Sequence, residues 1–511
     1  MNTILQNGAS APALLNMDEV KVDPMVALRV QPNLAKRREM LPFILWQEKV
    51  HVACANPLDL ATLGAFQRQF EKPLVAVAAE SQSLRRALQR IYGNLNGGGS
   101  VPVLGKPVTA SDPNRNGAPV PGEMYDASAL SDEILYSAIL RQASDIHLDP
   151  GPDHLRLRFR VDGALEEIQK LPTSVASALT NRFKVLSNMD ISEKRAPQDG
   201  GLRHTYGSDN RTIDIRAATL PTKWGERMTL RLLGLQTGTL TLERLGMGPA
   251  HLGEFEKALA QPHGLILLTG PTGSGKSTTL YAGIRCLLGM EALNIITLED
   301  PIEYDIEGVA QVMVDGGDKT TFNKALRSVL RHDPDVVMIG EIRDGETADI
   351  AVKASLTGHL VFSSLHTNSA PGAVTRMADM GVERYLIAST LRLSIAQRLV
   401  RRLCSHCRVA DRLTVTEALS FNRAELAGTP AFRGGGCLYC GGKGFSGRLG
   451  IFEFLSLDET WSNTIASGAQ EADLFKEMKV RNLPTLLDDA MLKITSGQSS
   501  PEQVRTAVAA W

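Results

Sequence analysis

The run Gly270-Pro271-Thr272-Gly273-Ser274-Gly275-Lys276-Ser277 constrains the fold of this chain more than any other segment. It fits G-x-x-x-x-G-K-[ST], and its flanks give the pattern meaning. Leu265-Ile266-Leu267-Leu268 is a short apolar run suited to a buried parallel strand, and Ser277 to Leu288 has helical periodicity. A strand, a glycine-rich turn and a helix place several backbone N–H groups and a helix N-terminus around one anion. Glycine is needed because a Cβ would stand where the phosphate must approach. Gly270 to Thr278 are therefore assigned to nucleotide phosphates, with Lys276 reaching the β- and γ-phosphates and Ser277 holding Mg2+. No Asn-Lys-x-Asp run for reading guanine occurs, which points to ATP.

Phosphate transfer also needs acids on neighbouring strands. Asn294-Ile295-Ile296-Thr297-Leu298 reads as a strand ending in Glu299-Asp300, and Val336-Val337-Met338-Ile339-Gly340 as another ending in Glu341. In a parallel sheet both sets of carboxylates emerge at the C-terminal edge, beside the phosphate loop. Glu341 is assigned to the attacking water, and Glu299 or Asp300 to the Mg2+ shell. The second strand ends Gly-Glu rather than Asp-Glu. His359 and His366 flank a further strand-like run, where neutral imidazoles would sense the γ-phosphate.

Two cysteine pairs, Cys404-x-x-Cys407 and Cys437-x-x-Cys440, lie 29 residues apart. Each x-x spacing turns two thiolates toward one ion, and two such knuckles complete a tetrahedral four-cysteine site for Zn2+. Four sulfurs leave no open position, so the metal is structural. Arg401, Arg402 and Lys443 are expected to help keep the thiolates deprotonated. A thioredoxin-like redox pair would need its own βαβ context, which is missing. Cys54 and Cys286 read as ordinary buried thiols.

At 511 residues the chain exceeds what one hydrophobic core organises. With 43% hydrophobic residues, 22% charged and a net charge of −1, it reads as globular, and the balance argues against coating nucleic acid or anionic lipid by bulk charge while leaving local basic patches open. No apolar run is long enough to span a bilayer and no export signal opens the chain, while six cysteines suit a reducing compartment, so a cytoplasmic location is expected. Twelve of the thirty residues from Gly93 to Gly122 are Gly or Pro, which reads as a linker with a span of roughly 30 Å. The divisions expected are an N-terminal α/β docking domain (1–92), the linker (93–122) and an α+β second domain (123–242). An α/β domain carrying the phosphate-loop chemistry (243–400), a tetracysteine subdomain (401–455) and a helical region (456–511) follow. In the first module, strands are expected at Leu41–Leu45, Val50–Cys54 and Leu74–Val77. A helix from Pro57 to Phe70 should open on Pro57, and another should be capped by Ser81. In the second domain, Asp162-Gly163 is a hairpin turn signal.

At this point the residues resemble a family, the type II secretion and type IV pilus assembly ATPases, from about Leu41 to the C-terminal tail. The resemblance rests on Ala143-Ser144-Asp145-Ile146-His147, Glu193 to Gly200, Gly225-Glu226-Arg227, the phosphate loop, Leu298 to Glu303, Gly340 to Asp344, Leu356 to Asn368, Ala396 to Val400 and the cysteine pairs. It departs from the family at Gly201, where Arg is frequent, and at Ser364, where Thr is usual. The resemblance implies a RecA-like P-loop motor joined to a PAS-like domain, working as a homohexamer at the inner-membrane face. It implies partners in a platform protein and a membrane protein with a cytoplasmic domain. By position it also implies that Arg216 and Arg231 complete the ATP site, and it strengthens His359 and His366 as site residues. Closure of the motor against the second domain is expected across Leu242 to Gly248. The branch that retracts pili lacks both the cysteine pairs and the first module. Two other readings compete: a nucleic-acid motor using Arg392, Arg398, Arg401 and Arg402, and a nucleotide-bound regulatory adaptor. The neutral charge weighs against the first, so no nucleic-acid partner is expected, and intact Lys276, Ser277 and Glu341 weigh against the second.

Overall fold

The computed structural model describes residues 14–57, 60–93, 126–206, 211–234, 241–290, 292–314 and 322–508. Apart from Gly93, the expected linker lies outside these residues. The chain divides into two compact units, Met1–Leu235 with Gly435–Gly444, and Gln236–Gly434 with Phe445–Trp511.

In the first unit, β1 (Met40–Trp46) and β2 (Lys49–Cys54) pair antiparallel across Gln47-Glu48, whose φ angles of 50° and 61° suit a tight hairpin. β3 (Leu74–Ala78) lies parallel to β2, which requires a crossover, and the helix Leu60–Gln67 supplies it. Pro57, expected inside that helix, sits in a turn before it. Ser81 is the first residue of the helix Ser81–Tyr92 rather than its cap; the N-cap is Glu80, which makes no side-chain capping bond. Leu84, Leu88 and Ile91 from this helix join Phe43, Val52 and Phe66 in one core.

The helix Ala127–Leu140 follows, its first amides donating to the Asp126 carboxylate. Then come β4 (Ala143–Pro150), β5 (His154–Val161), β6 (Ala164–Pro172), β7 (Gln198–Tyr206), β8 (Arg211–Thr222) and β9 (Gly225–Leu232). They form an antiparallel sheet ordered β6-β5-β4-β9-β8-β7. Asp162 and Gly163 turn β5 into β6 with φ of 50° and 82°, as the hairpin signal predicts. Alternation buries Leu155, Leu157 and Phe159 with Leu130 and Ile134, and so puts Arg156, Arg158 and Arg160 on the other face.

The second unit is built on β10 (Gly264–Thr269), β11 (Ile295–Glu299), β12 (Ala310–Met313), β13 (Val336–Ile339), β14 (Leu360–Leu365) and β15 (Leu391–Leu403). The small hairpin of β16 (Arg408–Arg412) and β17 (Pro430–Gly434) precedes β18 (Phe445–Ser456). The main sheet runs β12-β11-β13-β14-β10-β15-β18, parallel throughout except for β18. Every residue of β10, β13 and β14 is buried, because helices cover both faces of a parallel sheet. Leu265 and Leu267 enter one core while Ile266 and Leu268 enter the other.

Two expectations change here. β15 continues to Leu403 and β18 to Ser456, so the main sheet carries on through the expected divisions at 400/401 and 455/456. The segment expected to hinge is also built into this unit. Leu242, Leu245 and Met247 are buried. Gly450 N donates to Leu245 O at 2.6 Å and Lys493 Nζ to Gly246 O at 2.6 Å. A pivot needs backbone free of such ties. No helix among the described residues is long and apolar enough to cross a membrane.

Candidate active site

β10 ends at Thr269, and the chain curls through Gly270–Gly275 into the helix Lys276–Met290. Gly270, Gly273 and Gly275 have φ of 147°, 78° and 90°, a region L-residues with side chains rarely adopt. A Cβ on Gly270 would lie 2.6 Å from Gln397 O and from Ser274 Oγ. The Ser274 hydroxyl is buried with no hydrogen-bond partner. A cradle that a Cβ would fill, rimmed by an unsatisfied buried hydroxyl, fits a phosphate.

Lys276 is nearly buried, and its Nζ donates to Gly270 O at 2.7 Å and Pro271 O at 3.1 Å. Burial pushes its ammonium down to about 8; the Glu341 carboxylate acts against that shift and the Arg398 guanidinium adds to it. Ser277 is exposed and Thr278 half-buried in the first turn of the helix.

Strand register brings the acids to the same edge, since Thr269 pairs with Leu365, Ile339 with Ser363 and Leu298 with Ile339. Glu341 sits just past β13. His366 Nε2, just past β14, is 3.0 Å from Glu341 Oε2, and Arg343 Nε donates to Glu341 Oε1. Burial by itself would raise the Glu341 carboxyl, but the hydrogen bonds from His366 and Arg343 hold it below the usual range. The loop carrying it is pinned by the Ser364 hydroxyl, which donates to Gly340 O at 2.8 Å. Ser at the family's Thr position thus keeps a hydroxyl in use.

Glu299 and Asp300 separate. The Glu299 side chain points into the core and accepts from Tyr281 Oη, Thr297 Oγ1 (2.7 Å) and Gln311 Nε2 (3.1 Å). Its oxygens are already occupied inside the protein, so the metal-shell expectation for Glu299 is corrected. Asp300 stays half-exposed at the edge, with Arg343 Nη1 3.6 Å away. His359 is corrected as well. It precedes β14, at the opposite end of the sheet from the phosphate loop, and donates from Nδ1 to Ala354 O at 2.8 Å. Two residues flanking one strand face opposite edges, so only His366 reaches the acids. Tyr281 and Gln311 escape sequence reading because no motif marks them, while Arg343 lies inside the Gly340–Asp344 block without a role assigned to it.

In the first unit, Arg216 and Arg231 are exposed and registered side by side across β8 and β9. Arg231 Nε donates to Asp145 Oδ1 at 2.9 Å, whereas Gly201, opposite Arg216 on β7, adds no side chain. The arginines expected to face nucleic acid are dispersed: Arg398 is buried, Arg401 stacks on Phe445, Arg402 donates to Arg244 O, and Arg392 donates to Ser389 O.

The sulfurs of Cys404, Cys407, Cys437 and Cys440 all lie within 4.8 Å of one another. Cys437 Sγ and Cys440 Sγ are 3.8 Å apart, the edge of a tetrahedron built on Zn–S bonds of about 2.3 Å. The donor set therefore fits the ion. Cys440 Sγ accepts from Cys437 N at 3.3 Å and from Gly444 N at 3.1 Å. Of the cations expected nearby, Lys443 pairs with Glu166, Arg401 stacks on Phe445 and Arg402 donates to Arg244 O. Cys54 is buried, whereas Cys286 is only half-buried.

Residues 125–506 match the family described as Type II/IV secretion system protein, and residues 11–97 match the MshEN domain. A Type II secretion system protein E of Klebsiella pneumoniae is 49% identical over 350 residues, covering 68% of this chain and 69% of that one. The Type IV pilus assembly ATPase PilB of Myxococcus xanthus is 34% identical over 518 residues, covering 99% and 90%. Among solved structures, the Legionella pneumophila ATPase DotB superposes with a TM-score of 0.58 at 22% identity, over 77% of this chain and 98% of that one. That likeness is one of fold.

Proposed function

Because the chain belongs to the Type II/IV secretion system protein family and is a P-loop ATPase of its secretion and pilus-assembly members, we propose that it is the homohexameric motor of such a machine. It works at the inner-membrane face, and its stroke drives pilin-like subunits through a membrane platform protein. Residues 1–92 are its docking module, and a platform protein and a membrane protein with a cytoplasmic domain are its partners in the machine. The observation that carries this reading is the meeting of the Lys276 loop and the Glu341–His366 pair at one sheet edge.

In the proposed cycle Lys276 exchanges loop carbonyls for the β- and γ-phosphates, which the loop's backbone amides and the Ser274 hydroxyl also bind. Ser277 and Asp300 would hold Mg2+, which when bound neutralises charge on the bridging and terminal oxygens. Glu341 takes the proton of the attacking water while His366 fixes the orientation of its carboxylate. Arg216 and Arg231 supply guanidinium charge to the transferring phosphoryl group. Asp145 steadies Arg231. Cys404, Cys407, Cys437 and Cys440 hold a structural Zn2+.

Deleting the gene tests the machine. Exoproteins accumulating in the periplasm identify type II secretion, and lost surface filaments identify pilus extension; a deletion strain that shows neither change would overturn the proposal. The zinc assignment has its own test. Elemental analysis of purified chain should find about one zinc per polypeptide, and Cys437→Ser with Cys440→Ser should lose it; a metal-free, fully folded wild type would refute the assignment.

A further inference from the structure

Ala396 to Val400 is a stretch that the proposed chemistry leaves unused, yet it carries two buried polar side chains directly behind the phosphate loop. β15 pairs with β10 so that Ala396 stands beside Thr269, the last residue before the loop. Gln397 is 1% exposed and Arg398 is 5% exposed. Gln397 Oε1 accepts from Thr279 Oγ1, on the helix that follows the loop, at 2.8 Å. Gln397 Nε2 lies 2.8 Å from where a Cβ on Gly275 would stand, and Gln397 O lies 2.6 Å from the corresponding point on Gly270. Arg398 Nη1 donates to that same Gln397 carbonyl at 3.0 Å. Its Nη2 donates to Asn368 O at 3.1 Å and Asn368 Oδ1 at 3.2 Å, two residues past His366.

We infer that Gln397 and Arg398 are positioning residues of the nucleotide site: they brace the phosphate loop from the neighbouring strand and place a buried positive charge behind it. The inference rests on reading Gly270 to Thr278 as the nucleotide loop. One side of the brace is steric. The loop backbone rests against Gln397 at both Gly270 and Gly275, so its curl is set by β15 as well as by its own glycines. The other side is electrostatic. A guanidinium in a weakly polar interior acts on an anion several ångströms away more strongly than it would in water. Its fork also ties Gln397 O, against which Gly270 packs, to the Asn368 segment, so the strand behind the phosphate cradle and the strand end that bears His366 share one support. Arginine suits this task because its planar fork spans two acceptors that a single ammonium cannot span together. Burial still pushes the guanidinium's pKa down, and those carbonyl bonds and the field of the buried Glu453 carboxylate offset part of that cost.

The test measures ATP and ADP affinity of the full-length chain by calorimetry, with melting temperatures alongside. Gln397→Glu keeps the side chain's size and its acceptor for Thr279 but sets a negative charge against the loop. It is expected to weaken ATP by about tenfold to a hundredfold, and ADP by less, since the repulsion grows with phosphate charge. Arg398→Lys, which keeps the charge without the fork, should bind more tightly than Arg398→Gln. Packing alone would weaken both nucleotides equally and would not rank lysine above glutamine. A folded Gln397→Glu chain with the wild-type affinities, or with ATP and ADP weakened alike, overturns the inference. If the Arg398 variants do not fold, the Gln397 result decides. A wild-type chain that binds neither nucleotide would instead refute the reading of the loop itself.

Discussion

Replacing Glu341 with glutamine is expected to lower kcat for ATP hydrolysis by two to four orders of magnitude while leaving ADP affinity close to wild type. The substitution keeps the shape of the side chain and one oxygen, an acceptor for either His366 or Arg343 but not both, and removes the carboxylate that takes the proton of water. Loss of a positioned general base carries a penalty of about 10²–10⁴. The geometry already favours an ionised carboxylate at neutral pH, because His366 and Arg343 hold it below the usual range against the burial that would raise it. The sign of the pH effect follows. Activity needs the ionised form and is lost as pH falls through the carboxyl's pKa. Removing His366 leaves burial opposed by Arg343 alone, so in His366→Ala the acid limb of the kcat profile should move to higher pH. Turnover of Glu341→Gln within about tenfold of wild type, or an unmoved acid limb in His366→Ala, would remove Glu341 from the chemistry.

Lys276→Ala is expected to abolish measurable turnover, with kcat/KM down about a thousandfold or more, and to weaken ATP binding severely. A buried ammonium aimed at phosphate is a charge-assisted donor in a poorly screened site, and its removal leaves the anion's charge uncompensated. The protein itself should tolerate the change. The ammonium is partly desolvated, with its pKa pushed down to about 8, and its two hydrogen bonds go to carbonyls of its own loop. Deleting such a charge removes a burial penalty together with those bonds, so the melting temperature should shift by no more than a few degrees. Stable Lys276→Ala protein that hydrolyses ATP at the wild-type rate would refute the assignment of the loop.

Much of the second unit was legible because its signals are local. The apolar run Leu265 to Leu268, the glycines at 270, 273 and 275, and the apolar run before Glu341 each describe a strand or turn that forms from its own residues. The x-x spacing of the cysteines is equally local. Where reading failed, the deciding neighbour was distant in sequence. Glu299 ends its strand as expected, but Tyr281 and Gln311 draw its carboxylate into the core. The case of His359 was open to correction from sequence alone. A residue before a parallel strand and a residue after it stand at opposite edges, so His359 and His366 could not share one phosphate. Leu242 to Gly248 read as a hinge because nothing in that stretch names Gly450 or Lys493, which tie it down.

By itself, then, the order of residues determined the phosphate loop, the sheet edge on which the acids emerge and the tetracysteine donor set, since each depends on backbone geometry within a few neighbours. Only the tertiary structure decided that Glu341 pairs with His366, that Asp300 rather than Glu299 faces the edge, and that Gln397 and Arg398 stand behind the loop. The physical reason is that hydrogen bonds and buried charges are settled by whichever groups packing brings within about 3 Å, and packing joins residues that the chain keeps tens to more than a hundred positions apart.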